Sequence, residues 1–152
     1  MLFIVVSLII LLIAGLNDIK NKSVKRWMII SNFICGISCL LVQLFLGGNP
    51  LVLFLSFIPG LFLISLSFIT REKIGYGDGL IALGTGPVFG ISNLMLGFCI
   101  SFFLSGMTAG ILMIFKKAKR DEQLPFLPFM FAGLLVVSGV CLAARIEAIN
   151  AV

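Results

Sequence analysis

Histidine is absent from this 152-residue chain, and charge is scarce, with only 11% of residues Asp, Glu, Lys or Arg. The first absence excludes Ser–His and Cys–His nucleophilic chemistry and any His-ligated metal. The second excludes a soluble enzyme, a nucleic-acid binder and a disordered tail, because a water-facing domain carries about 25% charged residues. What fills the chain instead is apolar: 61% of residues are hydrophobic and the mean hydropathy is +1.24. A spanning helix needs ~20 residues, so the chain holds about six spans and little else. The expectation is an all-α polytopic membrane helical bundle of about six transmembrane helices, one membrane-embedded domain over residues 1–152.

Cysteine is present but carries no pattern. Cys35, Cys39, Cys99 and Cys141 lie in apolar stretches with no CxxC pair. They read as small buried hydrophobes in helices, not as a zinc site or a disulfide framework. Neither a metal nor a cofactor is expected.

Polar interruptions mark the spans. The first runs over about residues 2–16, without a basic n-region or an A-x-A-like cleavage site, and reads as a retained helix. The second covers about 28–46 and stops at the turn sequence Gly47-Gly48-Asn49-Pro50. The third covers about 51–70, with Pro59-Gly60 expected to kink it, and the last covers about 124–144. Between Asp78 and Lys116 lie 37 residues without a charge, broken unevenly by Gly84-Thr85-Gly86-Pro87, Gly90 and Ser92-Asn93. A short fourth helix over 79–89 and a long fifth over 93–115 fit that spacing. Eleven residues rise only ~16 Å, about half a bilayer core. If the fourth helix reaches the far face, Asp78 at its start lies inside the membrane.

Charge sets the orientation. Lys20, Lys22, Lys25 and Arg26 fall in the first loop, Arg71 and Lys73 in the third, and Lys116, Lys117, Lys119 and Arg120 in the fifth. Ten of the eleven basic residues thus occupy alternate loops. The positive-inside rule makes those loops cytoplasmic and puts both termini outside. Trp27 reads as an interfacial anchor, and Gly106-x-x-x-Gly110 as a site of close helix packing.

Among the acids, Asp121, Glu122 and Glu72 sit beside basic residues and read as local charge partners. Asp18 and Asp78 differ. Asp18 closes the first apolar run, and Asp78 leads into the fourth within Gly75-Tyr76-Gly77-Asp78-Gly79. An ionisable group at membrane depth is a functional candidate by default. Two carboxyls on separate helices that share a site hold a proton between them, an arrangement that suits peptide hydrolysis by activated water. Gly75, Gly77 and Gly79 would support it by taking φ > 0 and letting another backbone approach. Three other readings stay open: Asp18 as a solvated helix-end residue, Asp78 as an N-cap, or the two acids as an ion- or proton-translocating pair.

Gly75-Tyr76-Gly77-Asp78 resembles the mark of the GxGD membrane aspartyl proteases, and within them the chain resembles the type IV prepilin peptidases. Presenilin-like enzymes place the first acid in a Tyr-Asp motif within a membrane helix, whereas Asn17-Asp18 opens a basic segment here. Prepilin peptidases follow that acid with a short basic stretch, usually ending Ile-Pro-Asn and an aromatic. Here Asp18 is followed by Ile-Lys-Asn-Lys-Ser-Val-Lys-Arg-Trp27. They open the last helix with an Ile-Pro-Phe-x-Pro-Phe-like stretch, matched by Leu124-Pro125-Phe126-Leu127-Pro128-Phe129. The three matches fall in the family's order and span nearly the whole chain.

The resemblance implies a membrane aspartic endopeptidase with Asp18 and Asp78 as its catalytic pair. It implies substrates that are prepilin-like or pseudopilin-like precursors, cut at the cytoplasmic face of the inner membrane after a short basic leader. The ten positive charges would hold the site against anionic headgroups. Departures are visible: Val24-Lys25-Arg26 stands where Ile-Pro-Asn is usual, and Gly79-Leu80 replaces a common Val-Lys, removing a cation beside the acid. The paired CxxC segment of full-length relatives is also missing. A peptidase without methyltransferase activity is therefore expected, like the short relatives that serve Tad-type or Gram-positive pilus systems. The alternative is a non-enzymatic transporter subunit or assembly factor on the same scaffold.

Overall fold

A computed structural model describes residues 1–21, 24–69, 75–115 and 125–150. Every regular element among them is helical: α1 (Leu2–Asn21), α2 (Arg26–Phe45), α3 (Pro50–Leu55), α4 (Ile58–Ile69), α5 (Tyr76–Ile114) and α6 (Leu127–Asn150). Five segments are long and apolar enough to cross a membrane, with α3 and α4 counting as one, Pro50–Ile69. The all-α membrane bundle is thus what the sequence leads one to expect. The basic loop residues Lys22, Arg71, Lys73 and 116–120, and the acids Glu72, Asp121 and Glu122, lie outside the described residues.

Each outer helix buries one stripe. In α1 it is Ser7, Leu11, Ala14, Gly15 and Asp18, and in α2 Met28, Asn32, Cys35, Gly36 and Cys39. In α6 it is Leu127, Met130, Leu134 and Val137. Spacings of three and four put each set on one helical face. The outward faces stay apolar because lipid, not water, covers them.

α5 is the centre. Its first part, 76–89, is buried at nearly every position from Asp78 to Phe89. Such a helix packs against several neighbours at once only if its surface is small. Cβ atoms at Gly36, Gly84 and Gly86 would collide with the Gly84 carbonyl, the Asn32 amide and the Ser56 carbonyl respectively. Asn32, itself fully buried, ties α2 to this part by donating to the Ile81 carbonyl at 2.7 Å.

The helix breaks at Gly90, where φ 75° and ψ 163° interrupt the helical backbone. That region is essentially confined to glycine. Beyond it the chain turns back. Phe102, 12 residues after Gly90, stacks on Phe126 with ring centroids 4.9 Å apart. Phe126 adjoins Leu127, whose N–H meets Asp18. Phe102 has therefore returned to the level of Asp78, 12 residues before Gly90. The sequence anticipated two helices here, but the loop expected over 90–92 is one residue wide.

Three details differ from the sequence reading. The third span breaks at Ser56-Phe57, not at Pro59-Gly60, because Pro59 sits in the first turn of α4, where a missing N–H costs nothing. Cys99 and Cys141 are exposed, whereas Cys35 and Cys39 are buried; a thiol facing lipid needs no burial in protein. A Cβ at Gly106 or Gly110 would meet nothing within 4 Å, so their spacing packs no helix among the described residues.

Candidate functional site

Asp18 belongs to α1, which extends to Asn21 instead of ending near residue 16. Because the helix continues, Asp18 falls on the buried stripe one turn below Ala14 and is only 6% exposed. It is not a solvated helix-end residue. Lys20, two positions on, points to the exposed side.

Asp78 is equally buried, at 6% exposure. It is not the N-cap of its helix. That position is Gly75, and Asp78 lies in the first turn with its N–H donating to the Gly75 carbonyl at 3.0 Å. Its carboxyl folds back over Gly75, with both oxygens 3.2–3.4 Å from where a Cβ there would lie. The two acids come from separate helices and are near enough for charge on Asp18 to act on Asp78.

The three motif glycines each admit a different neighbour. At Gly77 a Cβ would lie 3.0 Å from Val24 Cγ2, and at Gly79 it would lie 3.0 Å from the Ile64 backbone nitrogen. The left-handed backbone expected of them is absent. Among the described glycines only Gly47 and Gly90 have positive φ. What these glycines provide is close approach, to a carboxyl, a loop side chain and a helix backbone. Val24 thus packs directly on the Asp78 segment. The end of α4 also meets it, through an edge contact of Phe68 with Tyr76 at 5.9 Å.

Two partners of Asp18 escape a reading by residue type. The backbone N–H of Leu127, the first residue of α6, donates to its carboxyl. Gly15, one turn earlier, lets Pro128 close on α1: a Cβ there would lie 3.1 Å from Pro128 Cα. The signals were the glycine three residues before the acid and the second proline of the Leu-Pro-Phe-Leu-Pro-Phe stretch. An open cavity of about 530 Å³ lies at the other end of the bundle, lined by Met1, Leu8, Phe89, Asn93 and Cys141, and among the described residues no carboxyl lines it. Among the described residues no three His, Cys, Asp or Glu side chains gather as a metal site.

Five apolar spans and two buried carboxyls from separate helices define a class, the polytopic helical membrane proteins with ionisable groups inside the bundle. The chain belongs to the type IV leader peptidase family, whose model matches residues 5–114, a stretch that contains both acids. It is accordingly an integral membrane protein of leader-peptidase type, a class of protease that acts on pilin-like precursors in general. No curated protein and no solved structure matches the chain.

Proposed function

We propose that this chain is an aspartic endopeptidase that removes the basic leader from prepilin-like or pseudopilin-like precursors at the cytoplasmic face of the inner membrane. The observation that carries the reading is the pairing of Asp18 and Asp78, two carboxyls from separate helices buried together. One carboxyl, ionised, takes a proton from a water held between them; the other, protonated, donates to the scissile carbonyl. The C–O bond forms as the water oxygen attacks. The C–N bond then breaks as a proton passes to the leaving amine.

The site's place in the bundle supports a basic leader inside and an apolar helix in the bilayer. Lys20, Lys25 and Arg26 are exposed at the same end as both acids, where they would engage anionic headgroups. With no CxxC pair in the sequence, the reading gives this chain the peptidase step and no methyl transfer.

The test is cleavage in membranes. The chain is co-expressed with a precursor carrying a basic leader that ends in Gly before an apolar helix, and leader loss is followed by gel shift. Asp18→Asn and Asp78→Asn, each checked for membrane insertion, are expected to lose activity by at least about 100-fold. Full cleavage by either variant would remove that acid from the mechanism. No cleavage by the wild-type chain of several such precursors would instead leave a scaffold of the transporter or assembly-factor kind.

A further inference from the structure

Prolines shape the first turn of α6. A helix leaves its first N–H groups without acceptors inside the helix. Here the Phe126 carbonyl receives the Met130 N–H at 3.0 Å, and Pro128 has no N–H to offer. The free donors of that turn reduce to Leu127 and Phe129. The Leu127 N–H is turned toward α1 and donates to the Asp18 carboxyl. Leu127 is fully buried, and the Gly15–Pro128 crossing one turn away fixes the distance between the two helices. The family match ends at residue 114, so nothing in it assigns a part to α6.

We propose that the Leu127 backbone N–H is a positioning donor for Asp18, fixing the orientation of its carboxyl toward Asp78. The start of α6 is thereby part of the peptidase machinery. This rests on the reading of Asp18 and Asp78 as the catalytic pair. The terminal torsion of an Asp side chain is broad, so burial alone does not aim its oxygens. A backbone donor held by two packed helices does, and it needs no reorganisation during the reaction. A catalytic group misplaced by ~1 Å costs on the order of 100-fold in rate. Leu127 is buried behind Asp18, so the effect belongs in kcat and not in KM.

Leu127→Pro removes this N–H. Proline is well tolerated at a first helical position, and Phe126 before it is already outside the helix, as proline requires of its predecessor. Leu127→Ala loses the same buried side chain but keeps the N–H. Both full-length variants would be assayed in vesicles of phosphatidylethanolamine and phosphatidylglycerol, on a peptide with a basic leader ending in Gly and an apolar helix. Leu127→Pro is expected to show a kcat roughly 10- to 100-fold below Leu127→Ala, with the same KM. Equal kcat in the two, or a difference in KM alone, would overturn the proposal.

If Leu127→Pro does not insert, Gly15→Val separates α6 from Asp18 by pressing on Pro128 from the α1 side. It is expected to lower kcat at unchanged KM, while Gly139→Val, on the open face of α6, keeps the wild-type rate. Wild-type kcat in an inserted Gly15→Val would overturn the proposal. Asp18→Asn and Asp78→Asn run alongside. If they are inactive while Leu127→Pro matches Leu127→Ala, the positioning role falls and the dyad stands. If they still cleave, the dyad falls and the positioning role with it.

Discussion

At the scale of single residues, the surroundings of Asp78 are set by what its neighbouring glycines leave out. A Cβ at Gly79 would press on Ile64 Cγ1 at 2.7 Å and on the Ile64 backbone nitrogen at 3.0 Å. Helix backbone cannot yield without moving α4. A Cβ at Gly77 would meet only the Val24 side chain, which is half-buried in the segment between α1 and α2. Gly79→Ala should therefore destabilise the detergent-solubilised protein by about 1–3 kcal/mol, the usual range for overpacking. Gly77→Ala should cost distinctly less, and thermal unfolding of the two side by side checks the order. An equal loss would mean that the Val24 segment is as rigid as α4. The motif itself was legible, since an acid among glycines at the edge of an apolar run is rare enough to notice. The inward turn of Asp18 was not, because an expected helix end near residue 16 put the acid beyond the helix, where no stripe could be extended to it. The Leu127 donor was beyond reach for a different reason. It is a backbone group, and only three-dimensional packing says where a backbone N–H points.

At the scale of elements, α5 shows how one residue can replace a loop. Its 39 residues would extend ~58 Å as a straight helix, about twice the hydrocarbon thickness. The Gly90 break folds them into two pieces, 76–89 and 91–114. The shorter piece keeps Asp78 level with Phe102 instead of at the tip of a full span. No atom lies within 4 Å of a Cβ placed at Gly90, so a side chain there is refused by the backbone alone. Gly90→Ala is expected to cost about 1–3 kcal/mol from this strain. Gly106→Ala, at an equally open but helical position, should cause no loss, since alanine is the better helix former. Thermal unfolding of both variants checks the contrast. A neutral Gly90→Ala would mean that the turn is not fixed at that residue. From sequence, the 37 uncharged residues implied two helices, and their glycines implied an uneven division. The width of the break stayed hidden, because Ser92, two residues after Gly90, looks like a loop residue but is helical. In the fold Asn93 is helical, and its side chain donates to the Phe89 carbonyl across the break at 3.1 Å.

At the scale of the whole molecule, one end of the bundle gathers the ionisable groups and the other end has few. Lys20, Lys25 and Arg26 cluster with Asp18, Asp78 and the start of α6, while the turn at Gly47-Gly48-Asn49 and the Gly90 break carry no charge. A bilayer reads that asymmetry directly, because basic residues beside span ends are retained in the cytoplasm. The charge pattern along the chain therefore sets an expectation for the orientation of the candidate site, with both acids on the cytoplasmic side. The short 76–89 piece was legible as well, expected as a helix over 79–89 from the uneven division of the uncharged stretch. The orientation has a direct consequence for labelling. In a variant with the four native cysteines replaced by alanine, Asn49→Cys should react with a membrane-impermeant maleimide on intact cells. Lys25→Cys should react only after permeabilisation. The reverse pattern would put both acids at the outer face, where a precursor's cytoplasmic leader never arrives. Leader cleavage by Asp18 and Asp78 would then be impossible however well the two carboxyls are arranged. The same two labels thus test orientation and the feasibility of the reaction together, without needing to know which precursor is cut.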